Sequence, residues 1–268
     1  MLKDVTIGQF FPGKSPIHRM DPRVKIVLVM ALIVALFLAD GVVSYALMIG
    51  FLLAVIWISK IPARMVVKGL KPILFIISFT AVLNLFYTPG DYIWQFGFLH
   101  ISKQGIFVAV KMVLRIMLLI IGTSMLTYTT SPIQLTDGLE RLFSPLKKVH
   151  APVHELSMMM SIALRFIPTL IEETEKIISA QKARGADFES GNLIQRAKAM
   201  IPILVPLFIS AFRRADELAV AMECRLYRGD VGRTRMKQLK VSGVDYAAVG
   251  ISAVVFTTVA VLGQGFGL

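Results

Sequence analysis

The sequence predicts an all-α, polytopic membrane protein: about five transmembrane helices, joined to long amphipathic helices on the cytoplasmic side. Three observations carry this. First, 56% of the 268 residues are hydrophobic and 17% are charged, with a mean hydropathy of +0.70, too apolar for a water-soluble domain of this length. Second, several stretches stay apolar for about the 20 residues that cross a hydrocarbon core of roughly 30 Å. Third, 29 Lys and Arg against 17 Asp and Glu leave a formal net charge of +12, an excess that the positive-inside rule places on cytoplasmic membrane loops. No nucleic-acid partner is needed to account for it. The single cysteine, Cys224, excludes an intramolecular disulfide and any cysteine-based metal centre. A removable signal peptide is not expected, because polar and turn residues fill Met1 to Asp21 and no small-residue cleavage site follows the first apolar run.

The first span is predicted over Val24 to Ala39 and the second over Val42 to Ser59, with only Asp40 and Gly41 between them, which requires a tight helical hairpin. Lys3, Lys14, Arg19, Arg23 and Lys25 flank the first span, and Lys60, Arg64, Lys68 and Lys71 follow the second. The turn has no base, so the N-terminus is expected in the cytoplasm. A third span, Pro72 to Tyr87, runs out to Tyr87, Tyr92 and Trp94, rings suited to the headgroup level, in a loop whose only lysine is Lys103. The fourth, Ile106 to Tyr128, brings the chain back and is broken by Thr130, Ser131 and Pro132. Residues 1–128 thus form an N-terminal membrane domain of four spans.

Between Thr129 and Gly243 acids and bases return, among apolar stretches interrupted by Pro145, Pro152, Pro168, Pro202 and Pro206. Over Ile167 to Arg184, Leu170, Ile171, Thr174, Ile177 and Ile178 fall on one side, and Glu172, Glu173, Glu175, Lys176 and Lys182 largely elsewhere. That is amphipathic, not transmembrane, patterning. Residues 129–243 are therefore expected to form a cytoplasmic or interfacial domain. The final segment, 244–268, carries a fifth span over Tyr246 to Leu262, ended by Gly263, Gly265 and Gly267, and puts the C-terminus outside.

Among the motifs, Gly8, Gly13, Lys14 and Ser15 satisfy G-x-x-x-x-G-K-[ST] letter for letter. A phosphate loop needs a buried strand before it and a long helix after it. Only seven residues precede Gly8, and Pro16 and Pro22 cut short any following helix, so the match is read as coincidence. His150 and His154 have the i, i+4 spacing of helical metal ligands, but Pro152 separates them and only Glu155 stands nearby as a third ligand, so no metal is assigned. Lys111 and Arg115 lie within the outer half of the fourth span. An intramembrane charge is a functional suspect, and here a transport role stands beside snorkelling or pairing within the bundle.

Two helix ends carry the sharper signal. Ala180-Gln-Lys-Ala-Arg184-Gly185 and Ala221-Met-Glu-Cys-Arg225-Leu-Tyr-Arg228-Gly229 each place arginine shortly before glycine. Glycine past a helix end takes the left-handed conformation and a base in the last turn complements the helix dipole, so each is readable as a cap. A second reading is docking: Ala180, Ala183, Ala219 and Ala221 keep the surface slim, and a guanidinium pairs with a carboxylate in fixed bidentate geometry. Met158, Met159 and Met160, with Leu156, Ile162 and Leu164, form an adaptable apolar surface that suits several partners or core packing.

These residues resemble the transmembrane T component of energy-coupling factor (ECF) vitamin and metal transporters, the EcfT or CbiQ family. The resemblance rests on Ser15-Pro-Ile-His-Arg-Met-Asp-Pro-Arg23-Val-Lys25, on Leu126-Thr-Tyr-Thr-Thr-Ser-Pro132 with Thr136-Asp-Gly-Leu-Glu-Arg141, on Ser161-Ile-Ala-Leu-Arg-Phe-Ile-Pro168 and on the two arginine motifs. In the family each motif is typically Ala-Arg-Gly. Ala183-Arg184-Gly185 matches fully, whereas Cys224-Arg225-Leu226 keeps only the arginine. Because Leu226 adopts a left-handed turn less cheaply than glycine, the second helix is expected to continue to Arg228 and stop at Gly229.

The resemblance implies a non-catalytic subunit of an ATP-driven importer in the bacterial or archaeal cell membrane. It would bind two ABC-type ATPase subunits, which hold the ATP and magnesium, and one membrane S component that holds the vitamin or other micronutrient. Coupling helices at about Pro168 to Arg184 and Pro206 to Arg228 would carry Arg184 and Arg225 to the ATPases, and the Met158 to Met160 surface would help hold S components. This chain itself is expected to bind no cofactor or metal. The alternatives are a self-sufficient secondary transporter, which needs repeated halves and a midplane site that five spans and Asn84, Lys111 and Arg115 do not outline, and a membrane enzyme using His150, His154 and Glu155.

Overall fold

The computed structural model describes residues 10–89, 91–96, 99–145, 152–188, 192–229 and 239–265. Lys3, Gly8, His150 and Gly267, named above, lie outside them. The chain divides into two compact units, one joining residues 8–138 to 239–268 and the other built from residues 139–238.

The membrane unit starts with a four-residue helix, α1 (Pro16–Arg19), capped by the Ser15 hydroxyl. α2 (Pro22–Leu38) begins where the Asp21 carboxylate accepts the Arg23 N–H and Pro22 fills the first helical position, which needs no donor. Asp40 and Gly41 then turn the chain, Gly41 at φ +83°, into α3 (Val42–Ser59). The two-residue connection stands as expected, but α2 and α3 each pack against the helices at Lys103–Thr129 and Gly243–Gly265 more than against each other. α4 (Ala63–Leu70) and α5 (Leu74–Tyr87) run as one 25-residue helical segment through a 3-10 turn at Lys71–Ile73. Pro72, which lacks an N–H, sits in that turn.

The loop between α5 and the next helix holds an antiparallel hairpin that the sequence reading did not anticipate, β1 (Tyr92–Phe96) and β2 (Leu99–Ser102), with a bulge between Tyr92 and Trp94. Tyr, Ile, Trp and Phe favour a pleated surface, and reading the rings only as a headgroup belt concealed it. Ser102 then caps α6 (Lys103–Thr129) by accepting the Gly105 N–H at 2.9 Å. α7 (Pro132–Phe143) follows, and α10 (Gly243–Gly265) returns to this unit.

Leu32, Leu36, Met48, Leu52, Leu118 and Val259 are buried where α2, α3, α6 and α10 meet. Gly122 lets α6 approach α2 closely: a Cβ there would stand 2.2 Å from Leu32 Cδ2. The reverse faces, with Val27, Met30, Val34, Phe37, Trp57 and Phe75, are apolar and exposed, as a hydrocarbon solvent requires.

Five helical segments are long and apolar enough to cross a membrane: Val42–Ser59, Ala63–Tyr87, Lys103–Thr129, Ile194–Cys224 and Gly243–Gly263. The protein is an all-α polytopic membrane protein, with membership of the set shifted from expectation. α2 has 17 residues, about 26 Å of helix, the short end of the range for a span. Ile194–Cys224, expected to be amphipathic and proline-interrupted, lies in one continuous helix whose central stretch is apolar enough to cross, with charges toward both ends.

The prolines fail to interrupt it. In the second unit α8 (Val153–Ala183) passes through Pro168 and α9 (Leu193–Cys224) through Pro202 and Pro206, so both helices start well before Pro168 and Pro206, where the sequence placed them. Each interior proline costs about 3 kcal/mol in water, but a long helix whose other backbone bonds are intact carries that loss, the more so in apolar surroundings. α8 and α9 form an antiparallel hairpin. Glu173 accepts from Arg214 Nη2 at 2.7 Å and from the Ser210 hydroxyl, Gln181 Nε2 donates to the Pro202 carbonyl at 3.4 Å, and the Tyr227 hydroxyl meets Met158 Sδ at 3.1 Å. The hydrogen bond from Ser210, then that from Arg214, hold the Glu173 carboxyl below the usual carboxylate range.

Several buried or half-buried charges of the membrane unit serve as ties. Asp245, 1% exposed, accepts the Asp21 N–H at 2.8 Å, the Ser242 N–H at 2.6 Å and the Ser242 hydroxyl at 2.9 Å, joining the start of α10 to the start of α2. Lys25 Nζ donates to the Thr129 carbonyl at 2.9 Å, the Thr130 hydroxyl at 3.2 Å and the His18 carbonyl at 3.4 Å, covering the end of α6. Replacing Asp245 with alanine leaves buried donors unmet and is expected to cost about 3 kcal/mol, with Asp245→Asn intermediate. Thermal unfolding of the full chain in mild detergent checks this; unchanged midpoints for both variants would contradict it.

Candidate docking site at two arginine-tipped helix ends

α8 and α9 end in the same hydrogen-bonded motif. At the end of α8 the Gly185 N–H bonds the Lys182 carbonyl at 3.0 Å and the Ala186 N–H bonds the Gln181 carbonyl at 3.0 Å. At the end of α9 the Leu226 N–H bonds the Glu223 carbonyl at 2.8 Å and the Tyr227 N–H bonds the Met222 carbonyl at 3.1 Å. Both are Schellman closures, in which a left-handed residue folds the chain back over the last turn. Arg184 and Arg225 occupy the same place in each, the residue just before the left-handed one.

That residue is Gly185 at φ +88° in the first and Leu226 at φ +55° in the second. This corrects the expected continuation of α9 to Arg228: the helix ends at Cys224, and Leu226 itself turns left-handed, with Gly229 (φ +73°) three residues further on. A left-handed L-residue costs roughly 1–2 kcal/mol, and closure of the last carbonyls offsets it. A Cβ at Gly185 would meet nothing within 4 Å, so glycine is there for its backbone conformation and not for space.

Ala183, Arg184, Gly185, Cys224, Arg225 and Leu226 are all exposed. Neither guanidinium has an ion pair or a side-chain hydrogen bond among the described residues. Because the cross-helix bonds join Gln181 to Pro202, Glu173 to Ser210 and Met158 to Tyr227, Arg225 stands level with about residue 160 of α8, and at 1.5 Å per residue the two arginines lie roughly 35 Å apart along the hairpin. Two free cations in one local geometry, at opposite ends of a bar, can each enter a separate acidic or carbonyl-lined groove.

The other candidates resolve differently. Met159 is 56% and Met160 49% exposed, while Met158 is half-buried beside Tyr227. On α9, Ile201, Leu204, Val205, Phe208 and Phe212 are also exposed. His154 is buried, its Nδ1 3.2 Å from Glu140 Oε1, and Ser157 donates to Glu140 Oε2; His150 lies outside the described residues. Lys111 pairs with Asp40, and Arg115 donates to the Tyr45 hydroxyl at 3.1 Å and the Ala39 carbonyl at 3.3 Å. Both are spent around the α2–α3 turn, in the pairing role. In the phosphate-loop look-alike, Ser15 Oγ is 2.7 Å from His18 Nδ1 and accepts the His18 N–H, and the following helix has four residues.

Leu226→Gly removes the left-handed cost and is expected to stabilise the second closure by about 1 kcal/mol, and Gly185→Ala to weaken the first by as much. Hydrogen exchange of the Leu226 and Tyr227 amides should slow about fivefold in the first variant. The Gly185 and Ala186 segment should exchange faster by a like factor in the second.

Comparison with known proteins identifies the family. Residues 13–237 match the CbiQ family, described as cobalt transport protein. The chain is 56% identical over 259 residues to the energy-coupling factor transporter transmembrane protein EcfT of Ruminiclostridium cellulolyticum, covering 97% of each chain. It is 54% identical to the EcfT protein of Clostridium kluyveri over 98% of each chain, and 48% identical to that of Bacillus subtilis over 93% of this chain and 94% of the relative. Matched along most of its length by the family and nearly end to end by these relatives, the chain belongs to the CbiQ family of transporter membrane proteins.

Proposed function

We propose that the chain is the transmembrane coupling subunit of an ECF-type ABC importer in a bacterial cell membrane, with its N-terminus in the cytoplasm. Two ATPase subunits receive Arg184 and Arg225, one each, and one S component carries the vitamin or other micronutrient. The observation that supports this most is the pair of matched helix ends, each presenting from the same backbone closure an arginine without an ion pair among the described residues. A repeated local geometry suits two copies of one groove, as a pair of related ATPases offers.

ATP and magnesium belong to those partners in this reading, and the chain does no chemistry of its own. When the ATPases close on ATP, the grooves approach and press on the two ends of the hairpin. Glu173, holding both Ser210 and Arg214, keeps α8 and α9 from sliding, so the load passes along the pair instead of dissipating. The exposed apolar face of α9 and Met159 and Met160 then pass the displacement to the S component, which reorients and releases its cargo inward.

Charge reversal at both tips, Arg184→Glu with Arg225→Glu, is expected to abolish copurification of the ATPases, and each single change to cost at least about tenfold in affinity, as for loss of one partner of a desolvated ion pair. Full assembly and uptake by the double variant would overturn the docking role.

A further inference from the structure

The membrane unit encloses a cavity of about 310 Å³ among α2, α3, α6 and α10. Leu28, Leu32, Val55, Met125 and Phe256 are among the apolar side chains that wall it. Phe51 and Phe256, edge to face at 5.4 Å, also line it, as do Pro16, Ile17 and Met20. From Phe51 to Ile58 the cavity follows α3 for about 10 Å. Ala54 of α3 and Ala247 of α10 line it and are themselves exposed, so it opens sideways between these two helices.

Three features choose the occupant. Both helices at the mouth are apolar enough to span a membrane, so hydrocarbon, not water, stands at the opening. The one cation in the wall, Lys25, already donates to Thr129, Thr130 and His18, which leaves nothing for a polar guest, and an apolar cavity of this kind stays dry. Beside the lining residues in sequence, Arg19, next to Met20, and Lys240, four residues before Val244, are exposed and have no ion pair among the described residues. Lys60 takes no part, since it lines a separate groove on the opposite face of α3.

The geometry points to a binding site for an anionic phospholipid, with one acyl chain threaded between α3 and α10 into the cavity and the phosphate resting on Arg19 and Lys240. The chain completes the packing of four helices that otherwise meet around a void. The membrane unit is therefore built to carry a lipid from the leaflet on its basic side.

The test reconstitutes the full chain in phosphatidylcholine vesicles containing a minor fraction of phosphatidylglycerol with a photoreactive diazirine in one tail, followed by peptide mapping. Label is expected to concentrate on residues 51–58 of α3 and 244–256 of α10. It should exceed by about tenfold the label from the same tail on phosphatidylcholine, as two cations near the surface imply. Arg19→Gln with Lys240→Gln should erase that preference. Plugging the mouth with Ala54→Phe should remove the label while the thermal midpoint holds or rises, and Ala247→Leu provides an independent plug should the first variant fail to fold. Label spread evenly over the lipid-facing helices, label that survives both plugs, equal capture of both lipids, or label that disappears when the partner subunits assemble would each overturn the assignment, the last by giving the mouth to a protein.

Discussion

The last carbonyls of a helix must find donors, and in this chain the way they find them decides where two arginines stand. Each long helix of the second unit folds back on itself through a left-handed residue, which satisfies terminal carbonyls and fixes the backbone place of the residue before it. Arg184 and Arg225 occupy that place. A helix simply running on past Arg225 would carry it on a helical flank, in a geometry unlike that of Arg184. The docking account depends on this equivalence, which glycine supplies at one end and a strained leucine at the other.

The contrast with the remaining charges sharpens the point. In the membrane unit Lys25, Arg23, Lys111 and Arg115 all have carboxylate, carbonyl or hydroxyl partners. Desolvation makes a lone charge there costly, so each is drawn into a tie. In the helical hairpin Arg214 is likewise held by Glu173. Arg184 and Arg225 are exposed and without ion pairs among the described residues, as are Arg19, Arg64, Arg165 and Arg213; what sets the two apart is their common place in two matching helix closures.

Much of this was legible in the residues themselves. The Asp40–Gly41 connection, the break after Thr129 and the two arginine ends follow from apolar run length, turn chemistry and the arginine–glycine spacing. Three things were not. Pro168, Pro202 and Pro206 read as interruptions because local propensity weighs one missing hydrogen bond heavily, whereas a helix of about 30 residues keeps its remaining backbone bonds on either side. Leu226 read as unable to turn left-handed because residue preference is a local cost, and the closure that offsets it is formed by Met222 and Glu223 further back. The ties from Asp245 to Asp21 and from Lys111 to Asp40 join residues far apart in the chain, and no spacing rule reports such pairs.

The lone cysteine permits the most direct examination of the central claim. Cys224 is exposed and adjoins Arg225, so a thiol-linked photo-crosslinker placed there needs no mutation, and Ala183→Cys in a Cys224→Ala background places the same probe beside Arg184. In membranes containing the assembled transporter, irradiation from either position should capture an ATPase subunit, with yields that change on adding ATP. Capture of lipid or of this chain's own segments alone, from both positions, would contradict the account.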